Sequence, residues 1–195
     1  MLPVIRPYRD ADYDGISRVC LLTAHAGTDA TGLHSSDDLM PDIFARPYLR
    51  FEPELAVVVD DGNVSGYILG SSDTRAFVER YRSEWFPHFA SRYPNDATAD
   101  ENLLELGRNP ERMLIPEVDD YPAHLHINLL PHLSGQGLGR RLIDTFSASL
   151  RDRGIRGVHL GLDPANTNAS AFYAHLGFQP LASSTPQEPL FGMVL

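Results

Sequence analysis

The run Ser134-Gly135-Gln136-Gly137-Leu138-Gly139-Arg140-Arg141 joins a segment of alternating polarity to an amphipathic one. Glycines let backbone N–H groups crowd around an anion, and a helix starting there adds the positive end of its dipole. The run therefore has the chemistry of a pyrophosphate cradle. Just upstream, His124, His126 and Asn128 alternate with Leu125, Ile127 and Leu129. On an extended strand the three polar side chains share one face, where a mid-sheet strand would by default be apolar. An unperturbed imidazole titrates near ~6.5, which suits His126 to proton transfer. Hydrogen-bonded core histidines are the competing reading.

A strand over 124–130, a helix over 136–151 with Leu138, Leu142, Ile143, Phe146 and Leu150 on one face, and a strand over 158–162 must position these groups. That order implies a right-handed crossover between parallel strands. A helix from Asn166 or Thr167 to Gly177 and strands over 178–181 and 190–194 follow. Ahead of the cradle lie a short strand over 4–7, a helix over 10–26, a second short helix over 41–48, and a hairpin of 55–59 and 64–69 around Asp61-Gly62-Asn63. From 73 to 93 the pattern is helical, with Phe77, Tyr81, Trp85 and Phe89 at every fourth residue, and Pro87 must kink or end that helix. An acidic helical piece over 99–106 and a Pro-rich stretch complete that region. The expected architecture is a single α/β domain over residues 1–195 with a mixed central sheet flanked by helices.

The composition narrows the function. All 16 basic residues are arginine, against 26 acids, for a net charge of −10. Residues 134–156 carry five arginines and two acids, a local +3, whereas residues 1–133 sum to −11. Nucleic acid and anionic membrane are not expected partners of such a chain. A P-loop needs a lysine that the chain lacks, and a dinucleotide fold wants Gly or Ala where Arg140 stands, although Asp163 superficially mimics its ribose-binding acid. A glycine-rich turn without a ligand is the remaining alternative. With the single Cys20, no stretch near the ~20 apolar residues of a membrane span, and an opening MLPVIRPYRDADYD without an apolar signal core, a cytoplasmic protein is expected.

Residues 131–139 resemble the acetyl-CoA loop of the GNAT superfamily of N-acetyltransferases, except that Ser134 stands where Arg or Gln is usual. Asn166, Ala169, Tyr173 and Gly177-Phe178 resemble that superfamily's second motif. In the N-terminal half, Arg46-Pro47-Tyr48-Leu49, Glu52-Pro53-Glu54, Gly66-Tyr67-Ile68-Leu69-Gly70, Asp73 with Phe77, Trp85-Phe86-Pro87 and Tyr93-Pro94 resemble the acetyltransferase-like domain of animal O-GlcNAcase.

The resemblance implies the GNAT fold and acetyl-CoA as co-substrate, with direct transfer to an amine: a small amine, an amino sugar or a protein lysine. It assigns cofactor contacts to Leu129, whose N–H it places at a strand bulge, and to Leu130, Ser134, Gly135, Gln136, Gly137, Leu138, Gly139, Arg140, Asn166, Ala169 and Phe172. Tyr173 matches the general acid that protonates the departing thiolate. A packed aromatic beside Phe172 is its structural alternative. His126 is then the candidate base, directly or through water, and Asn128 the residue that orients the amine or water. His124, His126 and His132 could form a metal site, but the implied co-substrate supplies no role for one, so no metal is expected. Residues 73–122 form an insertion between the third and fourth strands whose aromatics either wall the acceptor site or bury the insertion on the body. The acidic surround favours a cationic amine, and the resemblance allows a homodimer. The rival reading is a pseudo-acetyltransferase that binds a peptide or protein without transfer.

Overall fold

The computed structural model describes residues 2–94, 100–164 and 167–195. Its strands are β1 (Val4–Pro7), β2 (Val57–Asp60), β3 (Val64–Ser71), β4 (Ala123–Leu129), β5 (Gly157–Gly161), β6 (Gln179–Pro180) and β7 (Leu190–Val194). They form one mixed sheet in the order β1-β2-β3-β4-β5-β7-β6. The helices are α1 (Tyr13–Leu22), α2 (Leu39–Phe44), α3 (Arg46–Phe51), α4 (Thr74–Arg80), α5 (Phe86–Arg92), α6 (Glu101–Arg108), α7 (Leu138–Asp152) and α8 (Thr167–His175). The β2–β3 hairpin turns where expected, and Gly62 takes the positive φ of 116° that the turn requires.

Alternation along the central strands divides the core. Val58, Tyr67 and Leu69 pack with α1, α2, α3 and the insertion, whereas Val57, Val59, Ile68 and Leu125 pack with Leu142, Ile143, Phe146 and Leu150 of α7. β3 is buried along its whole length, so both faces are covered and it has lost the alternation of a half-exposed strand. The expected helix over 41–48 is instead two short helices broken at Ala45. Arg46 opens the second, and its guanidinium donates back to Asp42 and Asp38 of the first helix and its entry.

The insertion is predominantly helical. Asp73 caps α4 by accepting from the N–H groups of Arg75 and Ala76. One wide turn over Tyr81–Trp85 joins α4 to α5 ahead of Pro87. A proline there has no N–H to donate and its ring crowds the carbonyl four residues back, and the wide turn relieves both constraints without ending the helical run. Phe77, Tyr81, Trp85, Phe89 and Tyr93 all point into the core. They bury the insertion and do not wall a site.

Asp42 locks the insertion down from the centre of the body. Its carboxylate, 1% exposed, meets Arg46 at 2.7 Å and Arg92 at 3.2 Å and accepts from the Tyr93 hydroxyl at 2.9 Å, while its carbonyl accepts from the Trp85 indole at 3.0 Å. Removing the buried carboxylate leaves the Arg46 guanidinium and the Tyr93 hydroxyl without their partner in the interior. Asp42→Ala is therefore expected to lower the unfolding free energy by about 3–5 kcal/mol in denaturant titrations, whereas an effect below about 1 kcal/mol, the range of a surface pair, would contradict this role.

Candidate active site

Strands β4 and β5 pair in parallel at only two positions, Ala123 with Val158 and His124 with His159. β4 then follows β3 in unbroken register from Ser71–His124 to Gly66–Leu129, while β5 stays with β7 from Gly157–Val194 to Gly161–Leu190. The two strands diverge, and a cleft of about 210 Å³ opens between them. Its lining includes Leu125 to Asn128 from one strand, Leu160 to Asp163 from the other, Thr23, Met40 and Phe44 from the α1–α2 side, and Ala169 and Tyr173 from α8.

The unbroken β3–β4 register leaves no bulge at Leu129, contrary to the expectation. None is needed. Leu130 N–H bonds to Ser65 at 2.9 Å, and in an antiparallel ladder the N–H groups alternate sides. Leu129 N–H therefore points away from β3, toward the gap left by β5. The Leu130 backbone is fully engaged, its carbonyl accepting from Leu133 N–H at 3.0 Å, and its side chain packs with the α1-side core. It is not placed to bond a ligand in the gap.

A second, larger groove of about 630 Å³ is lined in part by residues next in sequence to those of the first. Leu129, Leu133, Ser134, Gly135, Gly137, Leu138, Gly139, Arg140 and Phe172 line it, with His175 and Leu176. Gly135 and Gly137 sit at φ of 76° and 71°, a region disfavoured for side-chain-bearing residues. Gly137 precedes α7 with no side chain capping the helix, so the first N–H groups of α7 are left for a ligand, as in anion sites at helix starts. A Cβ on Gly139 would come within 2.8 Å of Phe172 Cζ, which explains a third glycine there. The helix begins at Leu138 and not at 136, because Gln136 belongs to the loop and its amide donates to the His132 carbonyl at 2.9 Å. Arg140 donates to the His175 carbonyl at 3.3 Å, tying the start of α7 to the end of α8. Asn166 lies outside the described residues.

The polar face of β4 is built as a chain of hydrogen bonds. Tyr48 Oη lies 3.0 Å from both His124 Nε2 and His126 Nε2, and Thr74 Oγ1 lies 2.7 Å from His124 Nδ1. Asn128 donates to Thr23 Oγ1 at 2.7 Å, and that hydroxyl donates to the Val19 carbonyl at 2.8 Å. The Asn128 amide orientation is thereby set, leaving its Oδ1 as the acceptor. His124 is buried, as a core histidine would be, whereas His126 and Asn128 reach the cleft. Desolvation, with Arg112 and His159 adding positive charge nearby, pushes His126 down to about 3, and burial holds His124 well below the ordinary imidazole range. The expectation of a base titrating near its unperturbed value is corrected. His126 is a neutral acceptor that does not store a proton at neutral pH. Burial also raises the Tyr173 phenol above its usual range, so it stays protonated. Tyr48, Thr23, Met40 and Phe44 are site residues that no local sequence pattern singles out, although Tyr48 falls within one of the resembling segments.

His124, His126 and His159 all bind protons less readily folded than unfolded. The unfolded chain takes up protons as the pH falls through about 6.5, so their contribution to stability is complete above that value and is lost toward their folded values. The thermal midpoint is expected to fall by about 5 °C or more between roughly pH 7 and pH 4.5, before most carboxylates protonate. A flat profile across that window in calorimetry would contradict it.

A family model described as Acetyltransferase (GNAT) family matches residues 24–178. O-GlcNAcase of Rattus norvegicus is 24% identical over 185 residues, which cover 89% of this chain and 20% of that protein, so the chain spans about a fifth of that relative's length. Mycothiol acetyltransferase of Beutenbergia cavernae is 44% identical over 52 residues, covering 27% of this chain and 18% of the relative. Among solved structures, SsHAT matches with a TM-score of 0.91 and 46% identity over 98% of each chain. The polyamine N-acetyltransferase of Drosophila melanogaster, at 18% identity and a TM-score of 0.60 over 99% of this chain and 100% of its own, shares the fold. By the extent of the family match and the mixed seven-stranded sheet, the chain belongs to the acetyltransferase (GNAT) family.

Proposed function

We propose that this protein is an acetyl-CoA-dependent N-acetyltransferase that transfers an acetyl group directly to an amine. The observation that carries this reading is that residues adjacent in sequence, on β4 and on α8, line the two cavities. Asn128 lines the cleft and Leu129 the groove, and Tyr173 lines the cleft and Phe172 the groove. A long ligand held by phosphates at one end would deliver its other end between the diverging strands.

The groove fits such a ligand. The N–H groups around Gly135, Gly137 and Gly139 would hold the pyrophosphate with Arg140 and Arg141 nearby, and Leu129 and Phe172 would flank the pantetheine arm. Ser134 supplies no cation at this loop, so backbone donors and the helix start carry the phosphates. Bound acetyl-CoA supplies an activated acyl carbonyl and a thiolate leaving group. Leu129 N–H is the donor for the acyl oxygen. Asn128 Oδ1 and His126 orient the attacking amine as acceptors, and the amine proton leaves through water because His126 has too little proton affinity to keep it. Tyr173 holds the phenol proton that the departing sulfur needs. Because burial holds the phenol above its reference ~10, further from the ~8.5 of a thiol, that transfer works only at close contact, which a tyrosine fixed on α8 would provide.

The −11 balance of residues 1–133 supports a cationic amine as acceptor, and the single buried cysteine is in keeping with a cytoplasmic location. Titration calorimetry with acetyl-CoA is expected to give a micromolar Kd. No binding at high micromolar cofactor would sink the enzyme reading and leave a protein-binding module in its place. In a thiol-release assay over a panel of amines, Tyr173→Phe is expected to lower kcat by about 100-fold or more while acetyl-CoA still binds. An unchanged rate would remove Tyr173 from the mechanism.

A further inference from the structure

The buried polar chain behind the cleft has a direction, which follows from counting its protons. The Thr74 hydroxyl lies 2.7 Å from the Pro122 carbonyl, an atom that can only accept, so its single hydrogen points there. Thr74 Oγ1 must then accept from His124 Nδ1, 2.7 Å away. His124 is 4% exposed, with no carboxylate among the partners of its ring nitrogens. It is therefore neutral, and its one N–H is at Nδ1. Its Nε2 is a lone pair that accepts the Tyr48 hydroxyl hydrogen across 3.0 Å. The Met113 sulfur, 3.7 Å from the same hydroxyl, is the weaker competitor for that hydrogen. With its hydrogen committed, Tyr48 Oη can only accept from His126, whose Nε2 lies 3.0 Å away. His126, also neutral, then carries its proton at Nε2 and its lone pair at Nδ1.

We infer that Tyr48 is a positioning residue that, with Thr74 and His124, fixes His126 in its Nε2–H tautomer and so presents an unprotonated Nδ1 to the acceptor amine. This inference rests on the proposed amine transfer for its purpose but not for its geometry. An isolated imidazole exchanges tautomers freely, and in the Nδ1–H form the same ring would offer the amine a donor where it needs an acceptor. Tyr48 is itself held rigidly, stacked on Phe77 at 4.5 Å between ring centres and buried to 2% exposure. The cleft would thus meet the acceptor with two fixed lone pairs, His126 Nδ1 and Asn128 Oδ1, a pattern complementary to a primary amine with two N–H bonds to donate.

The test is long-range nitrogen–proton correlation NMR of the imidazole rings in the wild-type protein at neutral pH. His124 is expected as the Nδ1–H tautomer and His126 as the Nε2–H tautomer. The same tautomer for both rings, or a doubly protonated His126, overturns the inference. Tyr48→Phe keeps the stacking ring and should mix the His126 tautomers, lowering kcat by about tenfold or more with the KM for acetyl-CoA unchanged. Thr74→Val should have the same effect one link further back, and Thr74→Ser should restore the wild-type pattern. A Tyr48→Phe protein whose His126 keeps a pure Nε2–H signal overturns the role of Tyr48. Tautomers as stated in a protein that transfers no acetyl group would support the inference and overturn the functional reading alone.

Discussion

The separation of β4 from β5 after His124 is the constraint on which the rest of the site depends. A sheet gains most when its strands stay paired, since each unpaired backbone group must find another partner or face solvent. Here the neighbouring ladders hold the two strands apart. β4 is committed to β3 along its length, and β5 to β7. The gap exposes alternate N–H groups of β4 in the middle of the sheet, in a place that α8 and the α1–α2 side enclose without filling. A donor such as Leu129 N–H is useful because it belongs to a rigid ladder and needs no rearrangement to meet a ligand.

Two kinds of polar machinery meet at that gap, and they differ in how they are stabilised. The cradle is backbone chemistry: positive-φ glycines, an uncapped helix start and a few arginines in the one basic stretch of an acidic chain. The polar face of β4 is side-chain chemistry in a low-dielectric interior, where each donor needs a partner and an unpaired group is expensive. Its cost is offset by complete pairing from Thr74 through His124 and Tyr48 to His126, and from Asn128 through Thr23 to the α1 backbone. The same burial that makes the network rigid depresses the imidazole proton affinity. Rigid orientation and proton storage are therefore alternatives at this site, and the structure takes the first.

The insertion serves this arrangement from outside. Its aromatic side chains complete the α1-side core, Thr74 at its start supplies the far end of the histidine chain, and Arg112 near its end sits over Phe44 at the cleft. The aromatic stripe, for which the sequence allows either a wall of the acceptor site or burial of the insertion, packs into the core.

The sequence by itself determined the mixed α/β layout, the hairpin, the parallel crossover and the glycine cradle. Each is written in local rules: period-2 and period-3.6 apolar patterns, turn residues and glycine spacing. It also placed His126, Asn128 and Tyr173 correctly on their elements. The tertiary structure alone decided what those residues are. Whether β4 and β5 stay paired depends on competing ladders that no single segment encodes, and the absence of the expected bulge follows from the β3 register. Tyr48 lies 76 residues from His124 and 78 from His126, and Thr23 lies 105 from Asn128, so no spacing rule connects them. An imidazole's proton affinity and tautomer are properties of its burial and of its partners' hydrogens. Those exist only once the chain has folded around it.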